Sequence, residues 1–367
     1  MKYYLGQSQK SDAKGCVEEV TRQFQNPKMI IYYASVDQFE EYTRMLHEKF
    51  PDSICMGAST YVCLTKDGAI KKGLTAVSFE SGVNCSAGVL EQADTCPMKY
   101  VDNVKACVEK VRSQKNTVCL EFTTALRCAE ESVLAVLNSV LMEHRIPLVG
   151  GSAGDDNTGE ATYVALNGKI YDNSCVFALI HNESGGVRWY RENIYKPKTG
   201  NLLTATKVDW VNREVKEYNH QPAAKVYAKE LGVAEHEISK YFDSYPMGRV
   251  FGKEMYITAN CAETPGKGMK YHARVYDNSR VYVLEPDDYR SVVRRTMEQI
   301  KAEVPNPSFC IMCHCLARSA LFEGEGYLQE YCKTMGTVLG DYIGFSGYGE
   351  QMNRQQFNQT MTVIVFE

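Results

Sequence analysis

Hydrophobic and polar positions along the chain follow two periods, and the switches between them predict the elements. Lys2–Ser8 alternates like a short strand. Ser11 or Asp12 is placed to cap a helix running to about Phe24, with Val17, Val20 and Phe24 at helical spacing, and Pro27 breaks it. Met29–Tyr33 is apolar throughout, the mark of a buried strand. Asp37–Phe50 returns to helix, with Phe39, Tyr42, Met45 and Leu46 on one face, so the chain opens β-α-β-α. Ile54–Met56 leads into a loop at Gly57-Ala58-Ser59-Thr60, after which the period becomes two. Tyr61–Leu64, Leu74–Phe79 and Val83–Val89, separated by Asp67-Gly68 and Ser81-Gly82, read as antiparallel neighbours. Tyr100–Val111 is helical, Thr117–Phe122 a strand, and Glu130–Arg145 a strongly amphipathic helix.

That helix runs into the stretch around which the rest is organised, Pro147 to Asp156, with Gly150, Gly151, Ser152, Gly154 and Asp155. Glycines here permit positive φ and close approach, and successive N–H groups in such a turn form an anion-binding nest. The alternative is a tight connection that is glycine-rich for steric reasons alone. Beyond it Thr162–Leu166 and Ile170–Ile180 form a hairpin by the turn chemistry of Asn167-Gly168. An apolar strand ending Gly57-Ala58-Ser59 and another ending Gly150-Gly151-Ser152, each preceded by a helix and followed by β runs, suggest a duplicated half.

From Val187 to Tyr218 the pattern stays β-like, and Gln221–Leu231 is helical, with Pro222 in the first turn and Gly232 past the end. Val250–Ala259, Met269–Tyr276 and Arg280–Leu284 alternate as strands. Helix Asp288–Val304, buried strand Ser308–Leu316 and helix Gly324–Leu339 follow. A second Gly-rich loop at Gly344–Glu350 precedes the closing strand Met361–Phe366. A boundary falls within residues 210–222. The fold class is α+β with an α/β-like start: two joined halves, mixed β-sheets inside and helices outside.

With 367 residues, two domains or two joined halves are the default. A net charge of −4 and the absence of a basic cluster with interleaved aromatics argue against nucleic acid or an anionic membrane as partner. The opening residues lack the apolar core of a signal peptide, and no apolar run reaches the ~18 residues of a membrane span, so a cytoplasmic location is expected. The 14 cysteines then read as reduced thiols, and Cys16, Cys55, Cys63, Cys107, Cys119 and Cys175 as small core hydrophobes.

Cys310-Ile311-Met312-Cys313-His314 fits the haem c attachment pattern, but that chemistry belongs outside the cytosol. Alternation on a strand places His314 opposite Cys313 and Cys315, which argues against both a zinc site and a Cys315–His314 dyad. Nothing reads as a nucleotide signature, and no metal or cofactor is called for. Arg318 directly follows the buried strand, at the end where ligands in α/β sheets bind, and a guanidinium there can hold a carboxylate in bidentate fashion. Glu350, preceded by Tyr348, and Asp155 offer carboxylates in the two Gly-rich loops.

Together these motifs resemble the FIST proteins, which pair a FIST N and a FIST C domain. The N-domain pattern stands here as Leu148-Val149-Gly150-Gly151-Ser152-Ala153-Gly154-Asp155 followed by Asn167-Gly168-Lys169. The C-domain pattern stands as Cys315 and Arg318, then Gly344-Phe345-Ser346-Gly347-Tyr348-Gly349-Glu350, then Asn358-Gln359-Thr360. The likeness covers nearly the whole chain, as a FIST N-like domain over 1–215 and a FIST C-like domain over 216–367. One loop departs: the family's G-x-S-x-x-G-E is here Gly57-Ala58-Ser59-Thr60-Tyr61-Val62-Cys63, without the Gly-Glu.

The resemblance implies a stand-alone sensory domain that binds an amino acid or similar small polar metabolite. Output would run through a separate signalling protein such as a kinase or chemoreceptor, because the two halves use up the residues. Arg318 would take an anionic group, Glu350 and Asp155 a cationic or hydroxyl group. Ser152, Tyr348, Asn358 and the backbone of Gly150, Gly151 and Gly154 would orient it. The alternatives are a cysteine-dependent hydrolase or transferase, and a protein-interaction scaffold.

Overall fold

The computed structural model describes residues 1–367 as two compact units. One comprises Met1–Arg191, Met297–Arg354 and Met361–Glu367, the other Glu192–Thr296 and Gln355–Thr360. The architecture is α+β with mixed sheets, as the two periods of the sequence require.

The first unit holds three sheets, each centred on a parallel strand pair. Met29–Ala34 pairs with Ile54–Ser59 across the helix Phe39–Lys49. Thr117–Thr123 pairs with Leu148–Ser152 across the helix Glu130–Leu141. Phe309–Cys315 pairs with Tyr342–Gly347 across the helices Leu316–Gly324 and Leu328–Leu339. After each pair the chain leaves its own sheet and lays an arm on another. Cys63–Thr65 adds to Tyr342–Gly347, Val164–Leu166 to Ile54–Ser59, and Gly349–Met352 to Leu148–Ser152. It then returns antiparallel to the first strand of its own pair, as Leu74–Ser81, Ser174–Asn182 and Thr360–Phe366. An edge strand completes each sheet: Lys2–Ser8, Val83–Glu91 and Val187–Asn193. The unit is therefore a ring of three repeats that exchange arms cyclically. The second unit interrupts the third repeat between Arg191 and Met297.

The duplicated Gly-x-Ser noted in the sequence is in fact triplicated. Gly57-Ala58-Ser59, Gly150-Gly151-Ser152 and Gly344-Phe345-Ser346 each lie on the second strand of a pair. The glycine makes room for its register partner on the first strand. A Cβ on Gly57 would strike the Tyr32 ring, one on Gly150 the Glu121 side chain, and one on Gly344 would lie 3.1 Å from the Met312 Cβ. None of the three has positive φ, so it is space and not a left-handed backbone that requires glycine here. The serine carbonyls close the ring. Ser59 accepts from the Gly154 N–H at 2.8 Å, Ser152 from Tyr348 at 3.1 Å, and Ser346 from Tyr61 at 3.0 Å, each donor two residues past the serine of another repeat.

The inner faces of the three sheets share one core. At its centre Tyr33, Phe122 and Phe345, one aromatic from each repeat, meet pairwise at 5.5, 5.0 and 5.3 Å between ring centroids. The helices cover the outer faces, with Phe39, Tyr42 and Leu46 over the first sheet and Val133, Leu137 and Leu141 over the second.

The second unit is built on an antiparallel sheet. The helix Ala223–Leu231, ended by Gly232 at φ 74, packs Val226 and Tyr227 into a core with Leu203, Tyr218, Met247 and Val283.

Three expectations are corrected. Gly57–Ser59, Gly150–Ser152 and Gly344–Gly347 are strand, not loop, because the exchanged arms hydrogen-bond to them. Leu74–Ser81 and Val83–Glu91 are not neighbours, since the first pairs with Met29–Ala34 and the second with Ser174–Asn182. The segment after Cys315 is a helix, Leu316–Gly324, that the sequence pattern did not reveal.

Candidate ligand-binding site

The ring of serine carbonyls brings the two glycine-bearing stretches of the sequence together. A Cβ on Gly154 would collide with the Ser346 carbonyl oxygen, and one on Gly347 with that of Ser152. Gly150 and Gly151 sit opposite Gln351 and Glu350 in an antiparallel register. The glycines thus serve close crossing of backbones, and their N–H groups lie among strand ends.

Asp155 is buried and engaged within its own loop. It accepts from the Thr158 N–H at 3.1 Å and hydroxyl at 3.0 Å, the Glu160 N–H at 3.0 Å and the Tyr348 hydroxyl at 2.6 Å. Burial alone would raise its pKa, but these hydrogen bonds, led by Tyr348, hold it below the ordinary carboxylate value. Tyr348 in turn accepts from the Gly159 N–H at 3.0 Å, and burial followed by the Asp155 hydrogen bond pushes its phenol pKa up. Asp155 and Tyr348 therefore clasp the 155–160 loop to the strand-end ring. Ser152 is likewise held from inside, donating to Glu130 at 3.3 Å and accepting from Gln351 Nε2 at 3.0 Å.

Arg318 lies in the first turn of Leu316–Gly324, at the C-terminal end of the parallel pair, and is only 1% exposed. Its guanidinium stands 5.0 Å from the centre of the Phe322 ring and 5.6 Å from that of Tyr331. An aromatic face this close attracts the guanidinium and helps to fix its position. His314, on the strand that leads into this helix, packs its ring 5.2 Å from Tyr331. Its Nδ1 lies 2.8 Å from the Ser319 hydroxyl and 3.2 Å from the Cys315 carbonyl oxygen, and Ser346 donates to Ser319 at 2.8 Å. Burial, then the Arg318 charge, pushes the His314 pKa well below its usual value, so the imidazole is neutral and adds no second cation beside the guanidinium.

Glu350 is fully buried. Its carboxylate and that of Glu121 add to burial in pushing the nearby Cys313 thiol well above the ordinary range. Asn358 belongs to the second unit, where its Oδ1 accepts from the Ala259 N–H at 3.2 Å.

Sequence reasoning missed His314, Ser319 and Ser346 as a hydrogen-bonded set and Phe322 and Tyr331 as the arginine's aromatic support. The available signal was the third Gly-x-Ser, which marks Ser346 as equivalent to Ser152. A cleft of about 510 Å³ lies in the second unit, lined by Lys207, Glu214, Lys216 and Lys270 and by none of the residues above. No group of three or more His, Cys, Asp or Glu residues is placed to hold a metal, and no helix is long and apolar enough to cross a membrane.

Comparison with known proteins adds a family. Residues 28–221 match the FIST N domain and residues 223–353 the FIST C domain. The uncharacterized protein MJ1623 of Methanocaldococcus jannaschii is 23% identical over 395 residues, an alignment that covers 95% of this chain and 75% of that protein.

Proposed function

Because the chain belongs to the FIST family, we propose that it is a cytoplasmic sensory protein that binds an amino acid or a similar small polar metabolite and signals through a separate partner, such as a kinase or chemoreceptor. FIST domains are associated with sensory signal transduction and small-ligand binding. The observation that carries the reading is Arg318, a guanidinium buried to 1% exposure at the C-terminal end of a parallel strand pair, with the rings of Phe322 and Tyr331 beside it. Burying a guanidinium is costly, and an aromatic-backed arginine at that position is suited to a planar carboxylate. In this reading Glu350 takes the ammonium, and Gly150, Gly151, Ser152 and Gly154 shape the wall. Asp155 and Tyr348 hold the adjoining loop.

The reading is tested by thermal shift against the standard amino acids. A ligand at a hundredfold its Kd adds about 2.7 kcal/mol, which at this chain length raises Tm by several degrees. The shift is expected to vanish in Arg318→Lys and Glu350→Gln while both variants still unfold cooperatively. A panel without a hit on well-folded protein sinks the reading. A cysteine-dependent enzyme finds little support, because the partners of the His314 Nδ1 are Ser319 and a carbonyl, and Cys313 is held as a thiol by burial.

A further inference from the structure

The ring of three repeats gives each residue around Arg318 two counterparts. In the strand registers His314 faces Ser346, Thr123 faces Ser152, and Ala34 faces Ser59, so Thr123 and Ala34 occupy the place of His314. Four residues onward stand Arg318, Arg127 and Gln38. Gln38 is spent within its own repeat, donating to the Ser11 carbonyl oxygen at 3.0 Å and accepting from the Tyr42 hydroxyl at 2.7 Å.

Arg127 is placed differently. Its side chain is 44% exposed and leans on Asp172, with Nε donating to the carbonyl oxygen at 3.2 Å and Nη2 lying 3.5 Å from the carboxylate. A charge-assisted bond at its best distance is about 2.7–2.9 Å, so the carboxylate contact is loose and an incoming carboxylate can displace it. Arg127 borders a cleft of about 300 Å³, lined also by Leu126, Glu160, Thr162, Tyr163 and Asp172. The size matches the lower end of small-molecule sites. Thr162 fixes the wall by accepting from the Ala125 N–H at 2.9 Å. Glu160, an exposed carboxylate, lines the same cleft. On either side of Arg127 the backbone is left-handed at non-glycine residues, φ 68 at Leu126 and φ 55 at Cys128. Such conformations are unfavourable and collect at functional sites.

The geometry points to a second small-molecule site in the second repeat, where Arg127 holds the carboxylate of a small zwitterion, Glu160 its ammonium, and Leu126 and Tyr163 its apolar part. The inference borrows from the proposed function only the chemistry assigned to the arginine.

The test is isothermal titration of the full chain with each of the standard amino acids, reading stoichiometry. Two sites per chain are expected in the wild type. Arg127→Ala should leave one, Arg318→Ala should leave the other, and the double variant should bind none. Glu160→Gln, a milder change on an exposed side chain, should weaken the second site at least tenfold. Binding lost in Arg318→Ala but untouched by Arg127→Ala and Glu160→Gln overturns the second site and leaves the first. Loss in Arg127→Ala alone keeps the second site and removes the role given to Arg318. No binding by any amino acid at millimolar concentration overturns both.

Discussion

Glu121 holds, in the second repeat, the place that Tyr32 and Met312 hold in the other two. It is fully buried, and its Oε2 accepts from the Thr123 hydroxyl at 2.7 Å and the Cys175 thiol at 3.5 Å. No cation accompanies it. Burial, and to a smaller degree the Glu130 charge, outweighs these hydrogen bonds and pushes the carboxyl from 4.5 up to about 8. The folded state then keeps a proton that the unfolded chain gives up above its ordinary pKa. Its contribution to stability is complete below about pH 4.5 and falls as pH rises, by at most about 1.4 kcal/mol per unit, until the folded carboxyl has ionised near pH 8. Glu121→Gln keeps the shape and removes the charge. Urea unfolding between pH 5.5 and 8.5 should therefore show the variant gaining stability over the wild type as pH rises, by a few kcal/mol at the upper end. A difference independent of pH would mean that Glu121 titrates normally in the fold.

At the scale of elements, the three strand pairs are held less by their own loops than by each other's arms. Each serine carbonyl at the ring takes its hydrogen bond from another repeat, and each sheet contains a strand that the neighbouring repeat supplies. Phe122 sits in the aromatic cluster that all three share. Phe122→Ala should cost about 3–5 kcal/mol, and the loss should be felt around the whole ring. Hydrogen exchange at the Tyr61, Gly154 and Tyr348 amides is expected to accelerate together and by a common factor. Acceleration confined to Gly154 would show that the repeats open separately.

This interlocking also explains what the sequence could and could not disclose. Met29–Tyr33 was legible as a buried strand because its residues are apolar throughout, and Thr117–Phe122 and Ser308–Leu316 because apolar residues predominate on both faces. The helices Phe39–Lys49 and Glu130–Leu141 were legible from their one-sided stripes. Strand pairing was not, because period two says which residues share a face and nothing about which strand lies alongside, so Leu74–Ser81 was matched to its neighbour in sequence. The Gly-x-Ser strand ends looked like loops because glycine and serine favour turns locally, and only the arms of other repeats make them strand. For the site, Arg318 was legible from its place after a buried strand. The polar set around His314 was not, because Ser319 and Ser346 meet it only through the unanticipated helix Leu316–Gly324 and the parallel register of Tyr342–Gly347.

For the whole molecule, the three-repeat ring implies that the first unit is complete without most of the second. The Glu192–Thr296 segment begins at the last two residues of the third repeat's edge strand, Val187–Asn193, and returns in the helix Tyr289–Glu303, while all three strand pairs lie in the first unit. The two chain ends left by its removal are close, since the Tyr190 hydroxyl donates to the Glu303 carboxylate at 3.0 Å. Glu303 lies fewer than two helical turns from Met297, ~9 Å along the axis. A Gly/Ser linker of about eight residues, with an r.m.s. span of roughly 15 Å, therefore reaches from Arg191 to Met297 without strain. The excised protein is expected to unfold in one cooperative transition and to keep slow exchange at Tyr61, Gly154 and Tyr348, because the ring and the core around Tyr33, Phe122 and Phe345 are intact. The separate Glu192–Thr296 fragment, with its own core of Leu203, Tyr218, Tyr227 and Met247, should fold with a Tm in the ordinary range of about 45–65 °C. An excised ring that exchanges like an unfolded chain, beside a well-folded fragment, would mean that the third repeat needs the inserted unit to close, and that the ring is a product of the whole chain and not of its repeats.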